Sequence, residues 1–247
     1  MVMTTDTTTA VLVVTGAGSG IGRAVAEALD DRPETLVLAG RRRTALEKTA
    51  AGLHAPSLLA DTDLSTPEGA RQLAETVGER PVAGVALVAG GVGAASERAG
   101  LAGVAESWEA SWRMNVLTAV LTVQALRGSL ADGASVVALG SIAGTRGGGA
   151  YGAAKAALTP WVRDLARTLG PRGVTANVVA PGFTEDTEFF GTSMTAERRE
   201  RLLAETFTGR AGTPYDVAAL VAYLMSPAGR HLSGQVLHVN GGSLLAG

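Results

Sequence analysis

Short apolar runs, rich in β-branched residues, recur along the chain, and each is followed by turn residues and then by a segment with helical spacing. The runs show no clean alternation of apolar and polar positions, which is typical of strands buried on both faces of a sheet. Because strand and helix patterns alternate throughout, the sequence predicts an α/β fold with a doubly wound parallel sheet. Seven strands are predicted, at 10–16, 35–40, 57–60, 84–90, 134–139, 175–180 and 235–240.

Helical patterns fill most of the intervals between these strands. The exception is the polar segment 183–212, which contains a helical pattern at 195–206 and which we interpret as a small substrate lid. The Thr-rich stretch 1–9 is expected to be a disordered tail, which leaves 10–247 as a single domain. The remaining helices are predicted at 20–31, 43–53, 66–77, 106–129, 150–169 and 214–225.

Composition narrows the classes of partner. The formal net charge is −2, which argues against a general nucleic-acid surface. The chain has no cysteine, which excludes disulfides and thiolate metal sites, and we predict no metal site. Neither a membrane span nor a signal peptide is predicted, so we expect a cytoplasmic protein with no membrane partner.

The glycine-rich turn "TGAGSGIG" at 15–22 separates the first predicted strand from the first helix. Gly16 would permit a tight turn, Gly20 would let the backbone approach a phosphate, and Gly22 would allow close contact between helix and strand. Such turns are often purely structural, but this position in a βαβ unit favours a Rossmann-like dinucleotide site.

The end of the second strand carries three arginines, at 41–43, where an NAD site usually has an acidic residue. Guanidinium groups such as those of Arg41 and Arg42 would bind a 2′-phosphate, which predicts NADP(H) as the cofactor. The alternative is a solvated run of charge. Asp63 and Leu64 are placed to border the adenine, although Asp63 is equally suited to cap the next helix.

Tyr151 and Lys155 lie four residues apart and would share one face of a helix, and Ser141 precedes the tyrosine by ten residues. A Tyr-x-x-x-Lys pair alone is usually just an exposed pair on a helix.

Taken with the glycine turn, however, the chain resembles the short-chain dehydrogenase/reductase superfamily, specifically ketoreductases of the 3-oxoacyl-carrier-protein reductase type. The resemblance spans about 10–243. It rests on Gly16, Gly20, Ile21, Gly22, Asn115, Ser141, Tyr151, Lys155, "APG" at 180–182 and "GQVLHVNGG" at 234–242.

The resemblance implies catalytic roles for four residues. Tyr151 would give a proton to the substrate carbonyl oxygen, and Ser141 would hydrogen-bond that oxygen. Lys155 would bring the pKa of Tyr151 closer to neutrality and would hold the nicotinamide ribose together with Tyr151. Asn115 would hold a water that links Lys155 to solvent.

The resemblance also implies a cofactor site that extends beyond the glycine turn. Pro181, Gly182 and the backbone near Thr184 would meet the nicotinamide, and Thr187 would meet the pyrophosphate, although its spacing from Pro181 is one residue longer than usual. Aromatic residues of the lid would either wall a substrate cleft or pack the lid against the body. The remaining predicted cofactor-binding residues are Ser19, Gly20, Ile21, Ala89 and Gly90; the lid residues in question are Phe183, Phe189, Phe190 and Met194.

The sequence departs from the family pattern in two places. Val88-Ala89-Gly90-Gly91 stands where an Asn-Asn-Ala-Gly motif is usual, so a side-chain amide that ties neighbouring strands is missing. The interval from Ser141 to Tyr151 is shorter than in most relatives, and the glycines at 147–149 would allow a compact return. We therefore predict a trimmed loop with an intact site and a more open cleft.

The leading functional hypothesis is NADPH-dependent reduction of a ketone, such as a 3-oxoacyl thioester, a polyketide or a related carbonyl. A non-catalytic nucleotide sensor or assembly partner is the alternative, although such proteins commonly lose the tyrosine or lysine. The arginines at 41–43 disfavour an NAD-dependent alcohol dehydrogenase. "AERRER" at 196–201 is either a patch for a carrier protein or a solvated helix face. Apolar residues around the helices at 106–129 and 150–169, with the resemblance, predict a homotetramer.

Overall fold

The computed structural model describes residues 10–92, 98–187 and 194–245. Seven strands form one parallel sheet in the order β3-β2-β1-β4-β5-β6-β7. This confirms the predicted fold class. The strands are β1 (Val11–Thr15), β2 (Thr35–Gly40), β3 (Ser57–Asp61), β4 (Val82–Leu87), β5 (Leu130–Leu139), β6 (Thr175–Pro181) and β7 (Val236–Val239).

Helices cover both faces of the sheet. One core cluster joins the strands to helices within 67–77, 118–126 and 149–169, and a second cluster on the opposite face joins them to helices within 20–28, 43–50 and 214–224. Strand residues such as Val13 and Leu12 enter opposite clusters, which explains why the strand runs are almost wholly apolar. The helices are α1 (Gly20–Ala28), α2 (Arg43–Ala50), α3 (Pro67–Val77), α4 (Gly100–Trp112), α5 (Thr118–Leu126), α6 (Ala143–Arg146), α7 (Gly149–Leu169), α8 (Ala196–Ala204) and α9 (Pro214–Leu224).

The strand order reverses between β1 and β4. From β1 the sheet runs outward to β2 and β3 on one side and to β4 through β7 on the other. In open parallel sheets, ligands bind in the crevice beyond the carboxyl ends of the strands at such a switch point. Thr15 of β1 pairs with Leu87 of β4 at that end, so the glycine turn and residues 88–91 both leave the sheet beside the crevice.

The predicted helix at 106–129 is wrong in its bounds and its regularity. The helical run starts at Gly100 and ends at Leu126, and between α4 and α5 it contains a π-helical turn, Arg113–Leu117, with Asn115 at its centre. A π turn adds one residue to the helix, and periodicity does not reveal it here because α4 and α5 separate apolar from polar positions only weakly. Such turns are frequent at functional sites.

The segment predicted as a lid contains α8, whose N-cap Thr195 accepts a hydrogen bond from the backbone N–H of Arg198 at 3.2 Å. A single β-bridge joins Thr184 to Gly212 at the base of this segment. Within the described residues, the helices are too short or too polar to cross a bilayer. The predicted tail, 1–9, lies outside the described residues.

Candidate functional site

The glycine turn between β1 and α1 is packed too tightly for side chains. A Cβ on Gly22 would lie 2.1 Å from the carbonyl oxygen of Gly16, and one on Gly16 would lie 3.0 Å from the backbone of Ala89. Gly16 and Gly20 also have positive φ values of 68° and 50°. The turn therefore needs glycine for its close approach as well as for its backbone conformation.

Two side chains that the sequence analysis missed fix this turn. Thr49 of α2 donates its hydroxyl to the carbonyl of Ala17 at 2.9 Å. Arg23 of α1 donates to the carbonyl of Gly18 at 2.8 Å and to the Thr49 hydroxyl at 3.2 Å. Long-range hydrogen bonds of this kind carry no local sequence signal. They fix the turn that leads into α1, whose first backbone N–H groups are those that a helix leaves without intrahelical acceptors.

Ser19 and Ile21 frame the start of α1. Ser19 is the N-cap in extended conformation, and its side chain makes no capping hydrogen bond. Ile21 is partly buried against the core cluster on its face of the sheet. The first turn of α1 therefore keeps backbone N–H groups that could donate hydrogen bonds to an anion.

The three arginines after β2 take different roles. Arg43 forms ion pairs with Asp61 at 2.9 Å and with Glu47 at 3.0 Å. Arg41 and Arg42 are exposed, and Arg42 donates to the Ser19 hydroxyl at 3.4 Å. Arg43, which is not among the predicted phosphate ligands, is therefore already paired with carboxylates. Arg41 and Arg42 remain at the mouth of the crevice.

The loop after β3 resolves the open alternatives for Asp63 and Leu64. Thr66, not Asp63, caps α3, because its hydroxyl accepts the N–H of Gly69 at 3.1 Å. The Asp63 carboxylate accepts the N–H of Ser65 at 3.0 Å, and that hydrogen bond holds the pKa of Asp63 below its usual range. The Leu64 side chain is in the core with 3% exposure. Only the backbone of Leu64 is left to border an adenine.

Two polar side chains compensate for the amide missing after β4. Thr15 accepts the N–H of Ala89 at 3.0 Å, which ties this segment to β1. Asn115 accepts the N–H of Gly91 at 3.1 Å and donates to the Gly91 carbonyl at 2.8 Å. The second amide hydrogen of Asn115 goes to the carbonyl of Ser111 at 3.0 Å. Both amide N–H groups of Asn115 are thus used by backbone carbonyls, so its predicted contact to a water would have to use oxygen.

Ser141 and Tyr151 meet despite their short interval. A side-chain hydrogen bond joins the two hydroxyl groups. Ser141 leaves β5 and also accepts the N–H of Ala143 at 3.2 Å, at the start of the short helix α6. Three consecutive glycines, all with positive φ, then turn the chain into α7. The trimmed loop is therefore a helical turn followed by a glycine reversal, which returns Tyr151 to the serine.

Lys155 lies behind this pair, one turn further along α7. Its side chain is 4% exposed, and its ammonium donates to the carbonyl of Leu139 at 2.7 Å. A Cβ on Gly90 would lie 3.1 Å from Lys155 Nζ and 2.7 Å from Asn115 Oδ1. Lys155 and Asn115 thus converge on a glycine that leaves room for both. The structure brings the four predicted catalytic residues to one end of the sheet.

Burial shifts the pKa values of the tyrosine and the lysine in opposite directions. Desolvation raises the pKa of Tyr151 to about 12, and the hydrogen bond from Ser141 only partly opposes it. Desolvation lowers the pKa of Lys155 to about 8. The expectation that Lys155 lowers the pKa of Tyr151 is wrong for this structure. Lys155 Nζ lies 5.9 Å from the ring centroid and donates to Leu139, so the burial of the phenol dominates.

The end of β6 forms the opposite wall of the crevice. The Pro181 carbonyl accepts the N–H of Ile142 at 3.0 Å, and a Cβ on Gly182 would lie 2.8 Å from the Cβ of Asn240. Thr184 is buried and accepts the Thr187 hydroxyl at its carbonyl, at 3.4 Å.

Thr187 packs against the start of α1. A Cβ on Gly20 would lie 3.5 Å from its methyl group. Thr187 therefore lies beside the glycine turn despite the extra residue that precedes it.

The sequence left open whether the aromatic residues and Met194 of the predicted lid wall a substrate cleft or pack against the body. Phe183 is 8% exposed and packs into the body. Met194 is partly exposed, whereas Phe189 and Phe190 lie outside the described residues. Beside the catalytic residues, a cavity of about 330 Å³ is lined by Ser141 and Lys155 together with small residues of β6 and α7.

Comparisons with known proteins agree with this geometry. Residues 16–243 match the family model described as enoyl-(acyl carrier protein) reductase. The chain is 31% identical over 242 residues to 3-oxoacyl-(acyl-carrier-protein) reductase FabG of Vibrio cholerae, with 94% of this chain and 96% of the relative covered.

Two solved structures extend the likeness to the fold. A short-chain dehydrogenase/reductase from Brucella melitensis, described as a glucose/ribitol dehydrogenase, is 29% identical, with a TM-score of 0.87 and coverage of 96% of this chain and 98% of that one. A short-chain dehydrogenase from Burkholderia cenocepacia in complex with NADP is also 29% identical, with a TM-score of 0.82 and coverage of 94% and 96%. The chain therefore belongs to the short-chain dehydrogenase/reductase superfamily of oxidoreductases.

Proposed function

We propose that the protein reduces a ketone to an alcohol with NADPH, with Tyr151 as the proton donor. The observation that carries the proposal is the hydrogen-bonded pair of Ser141 and Tyr151, with the buried Lys155 one helical turn away. This cluster lies at the carboxyl end of the sheet, beside the glycine turn.

The residues around the switch point fit a dinucleotide. The turn at Gly16 and Gly22 admits no Cβ without collision, so the backbone presents its N–H groups directly to a phosphate. Arg42, beside Ser19, supplies a guanidinium where a 2′-phosphate would lie, and this favours NADP(H) over NAD(H). The Burkholderia cenocepacia relative was solved with NADP, which supports the same choice. Lys155 and Tyr151 would hold the nicotinamide ribose, and Thr187 would hold the pyrophosphate.

The protonation states of the site suit reduction at neutral pH. The bound nicotinamide supplies the hydride. With a pKa of about 12, Tyr151 holds its proton at neutral pH and has it available for the substrate oxygen. Ser141 donates to the same oxygen and stabilises the charge that develops on it. Lys155 carries its charge below a pKa of about 8, and its ammonium is held by the Leu139 carbonyl.

The substrate class follows from the relatives rather than from a specific pocket. The Vibrio cholerae relative acts on a 3-oxoacyl group on a carrier protein, and we propose a 3-oxoacyl thioester, a polyketide or a related ketone here. In the predicted carrier patch on α8, Arg199 is paired with Glu185. That pairing reduces the positive charge available to a carrier phosphate.

We also propose that the enzyme is a homotetramer. Leu101, Val104, Trp108 and Trp112 are all exposed, and their spacing places them on one face of α4. An apolar stripe of this kind is typical of an interface between subunits.

The proposal is tested by measuring NADPH binding and turnover on the same sample. We expect calorimetric binding of NADPH and oxidation of the nucleotide in the presence of acetoacetyl thioesters or other ketones. Binding without turnover across a broad ketone panel would favour the non-catalytic sensor instead. Equal or better binding of NADH would overturn the cofactor assignment.

A further inference from the structure

Helix α8 is held by contacts at its ends rather than by burial. None of its residues, Ala196–Ala204, is buried. Near its N-terminus Arg199 pairs with Glu185, and just beyond its C-terminus Glu205 pairs with Arg146 at 2.6 Å. The position of α8 over the sheet therefore depends on a few polar contacts.

Arg146 belongs to the loop between the two catalytic hydroxyls. It ends α6, five residues after Ser141, and stands directly before the glycines at 147–149. One guanidinium nitrogen pairs with Glu205, and the other donates to the carbonyl of Ser243. One side chain thus joins the catalytic loop to the end of α8 and to the C-terminal segment.

The C-terminal segment is itself bonded to the residues that follow α8. The carbonyl of Gly241 accepts the N–H groups of Phe207 at 2.8 Å and Thr208 at 3.1 Å. The two segments that Arg146 reaches are therefore already connected to each other. What Arg146 adds is the connection to the loop that carries Ser141.

The three glycines after Arg146 explain why its contacts matter for the order of the catalytic loop. Three adjacent glycines with positive φ have a wide range of accessible conformations, so they impose little order on the loop by themselves. β5 fixes the Ser141 end of α6. Arg146 is the side chain at the other end, where the chain enters the glycines, and the planar guanidinium binds two acceptors at fixed geometry.

We propose that Arg146 is a positioning residue that couples helix α8 and the C-terminal segment to the catalytic loop, so that the placement of α8 and of the Ser141–Tyr151 pair are set together. The kinetic part of this proposal rests on the proposed reductase function, but the structural part does not. Arg146 and Glu205 keep 35% and 38% side-chain exposure, so solvent screens the pair and it contributes little to global stability. Its loss should change local order and turnover more than the unfolding midpoint.

Arg172 offers a matched control far along the chain. It also pairs with a carboxylate, Asp132 at 2.8 Å, and donates to a backbone carbonyl, that of Leu130, with a similarly exposed side chain. Its contacts lie at the opposite end of β5 from Ser141. Arg146→Ala and Arg172→Ala therefore remove comparable contacts, but only one of these losses should reach the site.

The test compares hydrogen exchange and kinetics in these variants. For Arg146→Ala we expect faster exchange both at 143–152 and in α8, and a fall of about fivefold in kcat/KM, the size typical of a screened ion pair. Arg172→Ala should leave both unchanged. Arg146→Lys should keep part of the wild-type protection and activity. Adding Glu205→Gln to Arg146→Ala should lower the protection of the loop and kcat/KM little further.

Two results would overturn the proposal. One is unchanged exchange in α8 for Arg146→Ala, and the other is full additivity of the Arg146 and Glu205 substitutions in the exchange of the loop. If the protein reduces no ketone, the exchange measurements still decide the coupling, so failure of the proposed function is recognised separately.

Discussion

Replacing Lys155 by methionine isolates the cost of its buried charge. The unfolded chain holds the lysine proton up to a pKa of 10.5, whereas burial lowers the folded value to about 8. Between these values the unfolded state binds more protons, so the stability of the wild type rises with pH. The full difference corresponds to about 3 kcal/mol at high pH, of which about 2 kcal/mol is gained between pH 7 and about 9.5.

Methionine keeps an unbranched apolar chain of similar length but removes the charge. It also removes the hydrogen bond to the Leu139 carbonyl, but that loss does not depend on pH. The measurements stay below about pH 9.5 so that the ionisation of Tyr151 does not contribute. Because burial raises the pKa of Tyr151 from 10.0 to about 12, its effect on stability is a loss that occurs only as the pH rises from 10 toward 12.

The assay is urea unfolding at several pH values and a fixed protein concentration, with wild type and Lys155→Met compared at each pH. We expect the free energy of unfolding of the wild type to rise by about 2 kcal/mol relative to the variant over this window. Lys48, the other lysine of the sequence, is exposed, and Lys48→Met should follow the wild type. The same dependence of unfolding free energy on pH in wild type and Lys155→Met would show that burial does not lower the pKa of Lys155.

Three further predictions concern packing, cofactor choice and assembly. Gly22→Ala should destabilise the protein by about 2 kcal/mol or more, because its Cβ would collide with the Gly16 carbonyl, whereas Gly128→Ala, with open space around it, should be neutral in the same unfolding assay. Arg42→Ala should raise the KM for NADPH by about tenfold and leave that for NADH unchanged; an equal effect on both would contradict a 2′-phosphate contact. Trp108→Glu should dissociate the proposed homotetramer in light scattering, and an unchanged mass would place the interface elsewhere.

The sheet was predictable because its signal is local and repeated. Strands buried on both faces are almost wholly apolar, and turn residues follow them, so all seven strands were predicted to within a few residues. The glycine turn was predictable for a related reason, since only glycine tolerates the approach at Gly22. Because the strands are parallel, the carboxyl ends of β1, β4, β5 and β6 then lie at the same edge of the sheet.

The rest of the site depends on contacts between distant residues. Residue spacing does not predict the hydrogen bonds from Arg23 and Thr49 to the glycine turn. It does not predict the ion pair of Arg43 with Asp61 either. The π turn around Asn115 cannot be predicted from periodicity, because α4 and α5 separate apolar from polar positions too weakly for a shift of one residue to be seen. The pKa of Tyr151 depends on burial, which a motif does not specify.

Tyr151 is the residue that we propose supplies the proton in a reductase reaction. The most direct measurement compares the wild type with Tyr151→Phe, which removes only the hydroxyl, for NADPH binding and for turnover of a ketone that the wild type reduces. Tyr223, exposed and bonded to the Ala228 carbonyl, provides the matched control Tyr223→Phe. We predict that Tyr151→Phe still binds NADPH, with an affinity lowered only about fivefold by the lost ribose hydrogen bond, and loses at least about a hundredfold in kcat, as expected for loss of a general acid. Turnover by Tyr151→Phe equal to that of Tyr223→Phe would show that Tyr151 does not supply the proton.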